Sequence, residues 1–162
     1  MMEQLERTRR YLKRLRQIYA GVLYLSDTRE YYADDVLSFF IHCYHIKDWI
    51  IRLNRLGVTQ NDVDAFIDAH DELKICADLC NGTKHCQLTQ RLRTGRQPHL
   101  AERQFISSGI NDEMHTIRGK FHILANGVFH DVLDLAERCM QLWDNYVNDL
   151  TESANHGVER TR

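Results

Sequence analysis

The sequence contains little that breaks a helix and no apolar run long enough to cross a membrane. Pro98 is the only proline among the 162 residues, and this scarcity favours helices over a strand-rich fold with many turns. The most apolar stretch, residues 36–56, is interrupted by charged and histidine side chains. The first residues form no apolar signal region. These absences predict a soluble cytoplasmic protein that does not enter a membrane.

Familiar catalytic motifs are also missing. There is no Gly-x-Ser-x-Gly elbow, no phosphate-binding loop and no dinucleotide fingerprint. No Glu-x-x-His pair is present, although a di-iron helical bundle would need such pairs. The sequence therefore argues against these classes of enzyme.

Composition and length indicate one globular domain. Hydrophobic residues make up 43% of the chain and charged residues 27%, as in ordinary globular proteins. A chain of this length buries roughly 70% of its unfolded surface, which suffices for a core without disulfides. We predict one helical-bundle domain over residues 1–152 and a polar C-terminal tail at 153–162. The five cysteines are expected to be free thiols in a reducing cytosol.

Apolar residues recur at helical spacing in four segments. The predicted helices cover about residues 3–25, 33–56, 59–80 and 129–150. Thr59 or Asn61 is expected to cap the third helix, and Asn81-Gly82 to end or kink it.

The region between the third and last helices has a different pattern. Residues 87–103 lack apolar periodicity, which predicts a basic, mobile loop. Residues 115–124 indicate one or two short strands, and Asn126-Gly127 a turn. The predicted class is mainly α, a four-to-five-helix bundle with a small β-hairpin inserted before the last helix.

Charge is unevenly distributed along the chain, although the formal net charge is only −2. Basic residues crowd the first helix and the middle loop, namely Arg7, Arg9, Arg10, Lys13, Arg14 and Arg16, then Arg91, Arg93, Arg96 and Arg103. Such patches can contact RNA, and solvated faces or salt bridges between helices explain the same pattern.

The second predicted helix carries His42, His45, Asp48 and Trp49 within an otherwise apolar stretch. His45 shares a helix face with His42 and with Asp48, because each lies three residues away. Unpaired polar groups are costly to bury, so these side chains should find partners. They form either a buried network that locks the helix register or part of a functional site.

A second polar group comprises Asp78, Asn81, Lys84 and His85. An irregular helix end at this point would bring the side chains together as a site. The alternative is a plain helix end, at which Lys84 and His85 complement the negative helix terminus.

A metal site is a further alternative. Cys76 and Cys80 share a helix face, Cys86 and His85 follow, and His42 and His45 could approach from the neighbouring helix. Cysteines on an apolar stripe are more often small core residues, so we predict no metal and no other cofactor.

The stretch Asn81-Gly82-Thr83-Lys84-His85 resembles the signature of HEPN domains, which are small helical bundles, often dimeric, found among toxins and phage-defence nucleases. Asn81 matches the polar position of that motif and His85 its histidine, whereas Cys80 stands at the position of its arginine. The resemblance implies metal-independent cleavage of RNA, with His85 as the acid or base and Asn81 positioning it. Lys84 or a basic residue of the 91–103 region would replace the arginine.

We therefore predict a bacterial HEPN-like protein of a defence or toxin type that binds or cleaves RNA, or an inactive member of that class. The predicted catalytic residues are His85, Asn81, Lys84, His45 and Asp48, and the predicted substrate-binding residues are Arg91, Arg93 and Arg96. The expected partners are RNA and either a second copy of the chain or another protein. The alternatives are a non-enzymatic dimerisation or interaction module and a metal-binding bundle.

Overall fold

The computed structural model describes residues 2–23, 29–53, 57–85, 92–111 and 114–159. The elements in chain order are α1 (Glu3–Ala20), β1 (Val22–Leu23), α2 (Arg29–Tyr44), α3 (Ile46–Leu53), α4 (Gln60–Asp68), α5 (Asp71–His85), β2 (His99–Asn111), β3 (Met114–Ala125), β4 (Val128–Asp131) and α6 (Val132–Glu159). The chain is mainly helical with a small antiparallel sheet, in agreement with the predicted mainly-α class. None of these described helices has both the length and the apolar character that crossing a membrane requires.

The core lies where α1, α2, α5 and α6 pack together and against β3. α1 buries Leu5, Leu12, Leu15 and Ile18, whose spacing places them on one face of the helix. Burying each such side chain fully contributes about 1.5–3 kcal/mol relative to leaving it exposed. The opposite face of α1 remains in contact with solvent and carries the basic run.

Two of the predicted helices are divided in the structure. The second predicted helix breaks at His45 into α2 and α3, and the third breaks at 69–70 into α4 and α5. Thr59 caps α4 as predicted, because its side chain accepts from the Asp62 N–H and the Asp62 carboxylate accepts from the Thr59 N–H. α5 continues through Gly82 to His85, so the expectation that the helix ends before this point is wrong.

The sheet is built around β3, which pairs antiparallel with β1, β2 and β4. β2 begins at His99, so the assignment of residues 99–103 to the loop is wrong. β2 includes these polar residues because their backbone groups form hydrogen bonds with β3. Such pairing depends on the partner strand and cannot be recognised from the sequence of β2 alone. Asn126 and Gly127 form the turn between β3 and β4, with φ of 51° and 81° that these residue types tolerate.

The last helix begins and ends later than its periodicity predicts. The Asp131 carboxylate accepts hydrogen bonds from the N–H groups of Leu133 at 2.9 Å and Asp134 at 3.2 Å. These contacts satisfy two otherwise unpaired donors at the start of α6. The helix continues to Glu159, nine residues beyond the predicted end at Leu150.

Candidate functional site

The junction between α2 and α3 holds a histidine–aspartate pair. The His45 N–H donates to the Ile41 carbonyl at 3.1 Å, and the Asp48 N–H donates to the His45 carbonyl at 3.2 Å. The side chains meet with Nδ1 of His45 2.7 Å from Oδ2 of Asp48. Because an ionised carboxylate can only accept, this contact places the imidazole proton on Nδ1 and leaves Nε2 as the basic nitrogen.

Both members of this pair are accessible to solvent. The side chain of His45 is 42% exposed and that of Asp48 is 43% exposed. The alternative of a sealed network that only locks helix register therefore does not describe His45. Its imidazole is oriented by a carboxylate and can exchange protons with a ligand.

A second imidazole, that of His42, lies on the last turn of α2 and is held by α1. Gln4 donates from Nε2 to the His42 carbonyl at 2.8 Å, and the same nitrogen lies 3.3 Å from His42 Nδ1. Because a carbonyl oxygen can only accept a hydrogen bond, the Gln4 atom that faces it must be the amide nitrogen, and this fixes the orientation of the Gln4 amide. His42 Nδ1 is then the acceptor, and the ring proton is on Nε2. The Tyr11 ring stacks on the imidazole with centroids 4.8 Å apart.

The protonation of His42 is biased by its surroundings. Burial lowers the pKa of this histidine below its ordinary value, and the positive charges of Arg7 and Arg10 lower the pKa further. His42 is therefore neutral over a wider pH range than a free histidine, which suits it to donating a hydrogen bond from Nε2–H.

A groove of about 590 Å³ contains both histidines. We call it the histidine groove, and its lining comprises Gln4, Arg7, Ile41, His42, His45, Asp48, Trp49, Arg52 and Leu53. α1, α2 and α3 each contribute to this lining. The groove combines two imidazoles with two guanidinium groups and a half-buried indole, a set that suits an anionic ligand with flat rings.

Two of the five predicted catalytic residues, His45 and Asp48, are in direct contact. Asn81 is half-buried on α5 and is not part of the described lining of the histidine groove. Lys84 and His85 form the last turn of α5, and their side chains lie outside the described part of the structure. The contact predicted between His85 and His45 thus stays a prediction.

The predicted substrate-binding arginines have different surroundings. Arg91 lies outside the described residues, and Arg96 is exposed. The guanidinium of Arg93 forms ion pairs with Asp64, at 2.9 Å, and with Asp68. Arg93 therefore joins the segment after α5 to α4 through its side chain.

Asp78, which the sequence groups with Asn81 and His85, has a structural contact of its own. Its carboxylate is 1% exposed and accepts from the N–H of Arg93 at 3.1 Å and from the N–H and hydroxyl of Thr94, each at 2.8 Å. Three hydrogen bonds satisfy this buried charge. The 92–98 segment, expected to be a mobile loop, is held against α5 by this carboxylate.

Sequence reasoning missed the contribution of α1 to the groove. Gln4 and Thr8 are polar, but both lie within the buried stripe of α1 beside Leu5 and Leu12. A buried amide needs hydrogen-bond partners, so its position in the stripe could have indicated a polar contact with another helix. The partner, 38 residues away, is not recognisable from spacing.

The cysteines form a different cluster from the one considered as a metal site. The sulfur atoms of Cys43, Cys76 and Cys139 lie within 4.8 Å of one another and are buried. Cys76 donates to the Phe40 carbonyl and Cys139 to the Glu72 carbonyl, each at 3.4 Å. Burial raises the pKa of the Cys76 and Cys139 thiols. Burial also opposes ionisation of Cys43, but hydrogen bonds with Cys139 and Cys76 lower the pKa of the Cys43 thiol to about 5. The three cysteines are packed in the core, and their sulfur atoms lie close enough together to ligate one metal ion.

Cys80 is not part of that cluster, although it was expected to ligate a metal together with Cys76 in the metal-binding alternative. Cys80 is 3% exposed in the core, and Cys86 lies outside the described residues. Among the side chains that the structure describes, neither His42 nor His45 joins a potential metal-ligand group.

The histidine groove is therefore the arrangement with the clearest chemistry. It offers an oriented base, a neutral hydrogen-bond donor and cations in one concave surface. Comparison of the chain with known proteins finds no matching family model, no matching curated protein and no matching solved structure.

Proposed function

We propose that the protein binds RNA in the histidine groove and cleaves it without a metal ion, with His45 as the general base. The observation that carries this proposal is the 2.7 Å contact between His45 and Asp48 in a groove that also contains Arg7 and Arg52. The resemblance of residues 81–85 to the HEPN signature supports the same class of substrate.

The reaction follows from the chemistry of ribose and imidazole. Nε2 of His45 takes the proton of a ribose 2′-hydroxyl, and the 2′-oxygen attacks the adjacent phosphorus. The bond from phosphorus to the 5′-oxygen breaks, and the leaving oxygen takes a proton from solvent. The products are a 2′,3′-cyclic phosphate and a 5′-hydroxyl. Asp48 stabilises the imidazolium that forms on His45.

Cations of the groove stabilise the negative charge that develops on the phosphorus oxygens. Arg7 donates to Glu3 at 2.9 Å, which offsets part of its charge. Arg52 is exposed and has no ion pair with a carboxylate in the described chain. Cys80, at the position of the motif arginine, is buried. Arg52 and Arg7 therefore take the role that the resemblance assigns to that arginine.

The fold beneath the groove supports the same proposal. We infer a four-to-five-helix bundle with a β-hairpin inserted before the last helix, because α1, α2, α5 and α6 share one core and β2–β3 precede α6. The resemblance adds a role in bacterial defence or a toxin system, as a homodimer or with a partner protein.

Cleavage of labelled single-stranded RNA in the presence of EDTA tests the proposal. His45→Ala should lower the rate about 10²- to 10⁴-fold, the contribution typical of general base catalysis. Asp48→Asn should lower it less and change its pH profile, because the imidazole loses its negative partner. His130→Gln, a change in β4 outside the histidine groove, is the matched control and should cleave normally. Equal cleavage by wild type and His45→Ala would remove His45 from the mechanism.

A further inference from the structure

A second groove of about 670 Å³ adjoins the histidine groove along the exposed face of α1. We call it the α1 groove, and its lining comprises Arg7, Arg10, Tyr11, Lys13, Arg14, Gln17 and His42. Arg7 and His42 also line the histidine groove. The two grooves therefore form adjoining parts of one surface.

The α1 groove is strongly positive. Its described lining has four cationic side chains and no carboxylate. Arg14 is held by Asp35, with contacts of 2.8 and 3.1 Å, and Arg7 is held by Glu3. Arg10 and Lys13 are exposed, and neither forms an ion pair with any carboxylate whose side chain is described. Their charges are available to a ligand.

Helix geometry arranges these groups in a row. Arg7, Arg10, Arg14 and Gln17 are spaced three, four and three residues apart, which keeps them on one side of α1. The cationic members of the row, from Arg7 to Arg14, span about 10 Å, since each residue rises about 1.5 Å along the helix axis. A row of this length exceeds what a single phosphate requires and suits an extended chain of phosphates.

Tyr11 connects the row to the imidazoles. Its ring stacks on His42, and the Arg14 guanidinium carbon lies 5.6 Å from the centroid of the same ring. The charges of Arg7 and Arg10 both lower the pKa of His42. Arg10 thus lies close enough to act electrostatically on a ring of the histidine groove.

We propose that the α1 groove is a second RNA subsite, which holds the phosphates of single-stranded RNA next to the cleaved bond through Arg10 and Lys13. This inference rests on the proposed function and adds that the substrate is an RNA several nucleotides long. A lipid surface suits the groove less well, because its described lining contains no large aliphatic side chain to insert.

Binding of a non-cleavable, fluorescently labelled RNA with 2′-O-methyl groups tests the subsite by anisotropy. The variant Arg10→Gln/Lys13→Gln should weaken binding of a 12-nucleotide RNA at least tenfold and that of a dinucleotide less than twofold. The slope of log Kd against log salt should decrease by about 1.4, since each phosphate contact on a single strand contributes about 0.7.

The matched control is Lys120→Gln/Arg138→Gln, which removes the same charge from exposed positions of β3 and α6. It should bind the 12-nucleotide RNA like wild type. Equal affinities of the two double variants for this RNA would overturn the subsite. The outcome is separate from catalysis, because His45→Ala should still bind the 12-nucleotide RNA. If His45→Ala cleaves normally while Arg10→Gln/Lys13→Gln binds weakly, the catalytic proposal fails and the subsite stands.

Discussion

The amide of Gln4 on α1 contacts His42 on α2 at two points, the backbone carbonyl at 2.8 Å and Nδ1 at 3.3 Å. Gln4 is 2% exposed, so this nitrogen has little access to water. The carbonyl lies in the last turn of α2, where carbonyl groups lack partners within the helix. One side chain therefore caps α2, orients the His42 ring and joins α1 to α2.

Removing this amide should destabilise the fold. Gln4→Leu keeps similar bulk but leaves the His42 carbonyl without its donor, which should cost about 1–3 kcal/mol in the free energy of unfolding. Urea denaturation measures the change. Gln17→Leu, an exposed position on the same helix, is the control and should have little effect. Equal free energies for both variants would show that the Gln4 contact contributes nothing.

The lowered pKa of His42 predicts a dependence of stability on pH. The folded state favours the neutral ring, so protonation of His42 costs free energy in the folded protein but not in the unfolded chain. The contribution of His42 to the free energy of unfolding should be fully present above the pKa of about 6.5 that the residue has in the unfolded chain. This contribution should be lost as the pH falls through the lower pKa that His42 has in the folded protein.

His42→Gln isolates this contribution. Between pH 7.5 and pH 5, the free energy of unfolding should decrease less in the variant than in wild type, because glutamine does not titrate. Denaturant titrations at the two pH values provide the comparison. A decrease of the same size in both proteins would show that the charge on His42 has no effect on stability.

Gly82 and Gln97 should be energetically coupled. A Cβ atom added to Gly82 would lie 2.5 Å from Nε2 of Gln97, so glycine permits the 92–98 segment to approach α5 closely. Gly82→Ala alone should not stabilise the protein, because Gln97 must move. In the Gln97→Ala background the same change should stabilise it by up to about 1 kcal/mol, through the higher helix propensity of alanine.

A double-mutant cycle by chemical denaturation measures this coupling. It requires Gly82→Ala, Gln97→Ala and the double variant beside wild type. Additive effects of the two substitutions would mean that the contact between Gly82 and Gln97 does not constrain the sequence at this position.

Trp49 should report RNA binding directly. It lines the histidine groove and is half-buried, whereas Trp143 is 1% exposed in the core. Titration with single-stranded RNA should quench the fluorescence of wild type but not that of Trp49→Phe. Trp49→Ala should weaken binding by about 1–3 kcal/mol, the usual contribution of a base stacked on an aromatic ring. Quenching of equal size in Trp49→Phe would place the RNA elsewhere.

Local features were predictable from the sequence because they depend on helix geometry. The stripe of Leu5, Leu12, Leu15 and Ile18 follows directly from a period of 3.6 residues. The pairing of His45 with Asp48 follows from their separation of three residues. The break of the helix at His45 was not predictable, because the apolar pattern continues across it.

The sequence alone determined that the chain is mainly helical and that His45 and Asp48 can share a helix face, since both properties arise within a few residues. The tertiary structure decided which distant groups meet these elements. It places Gln4 against His42, pairs Arg93 with Asp64 and Asp68, and brings the sulfur atoms of three helices into one core. Such contacts depend on how whole helices pack, and many packings are compatible with the same local periodicity.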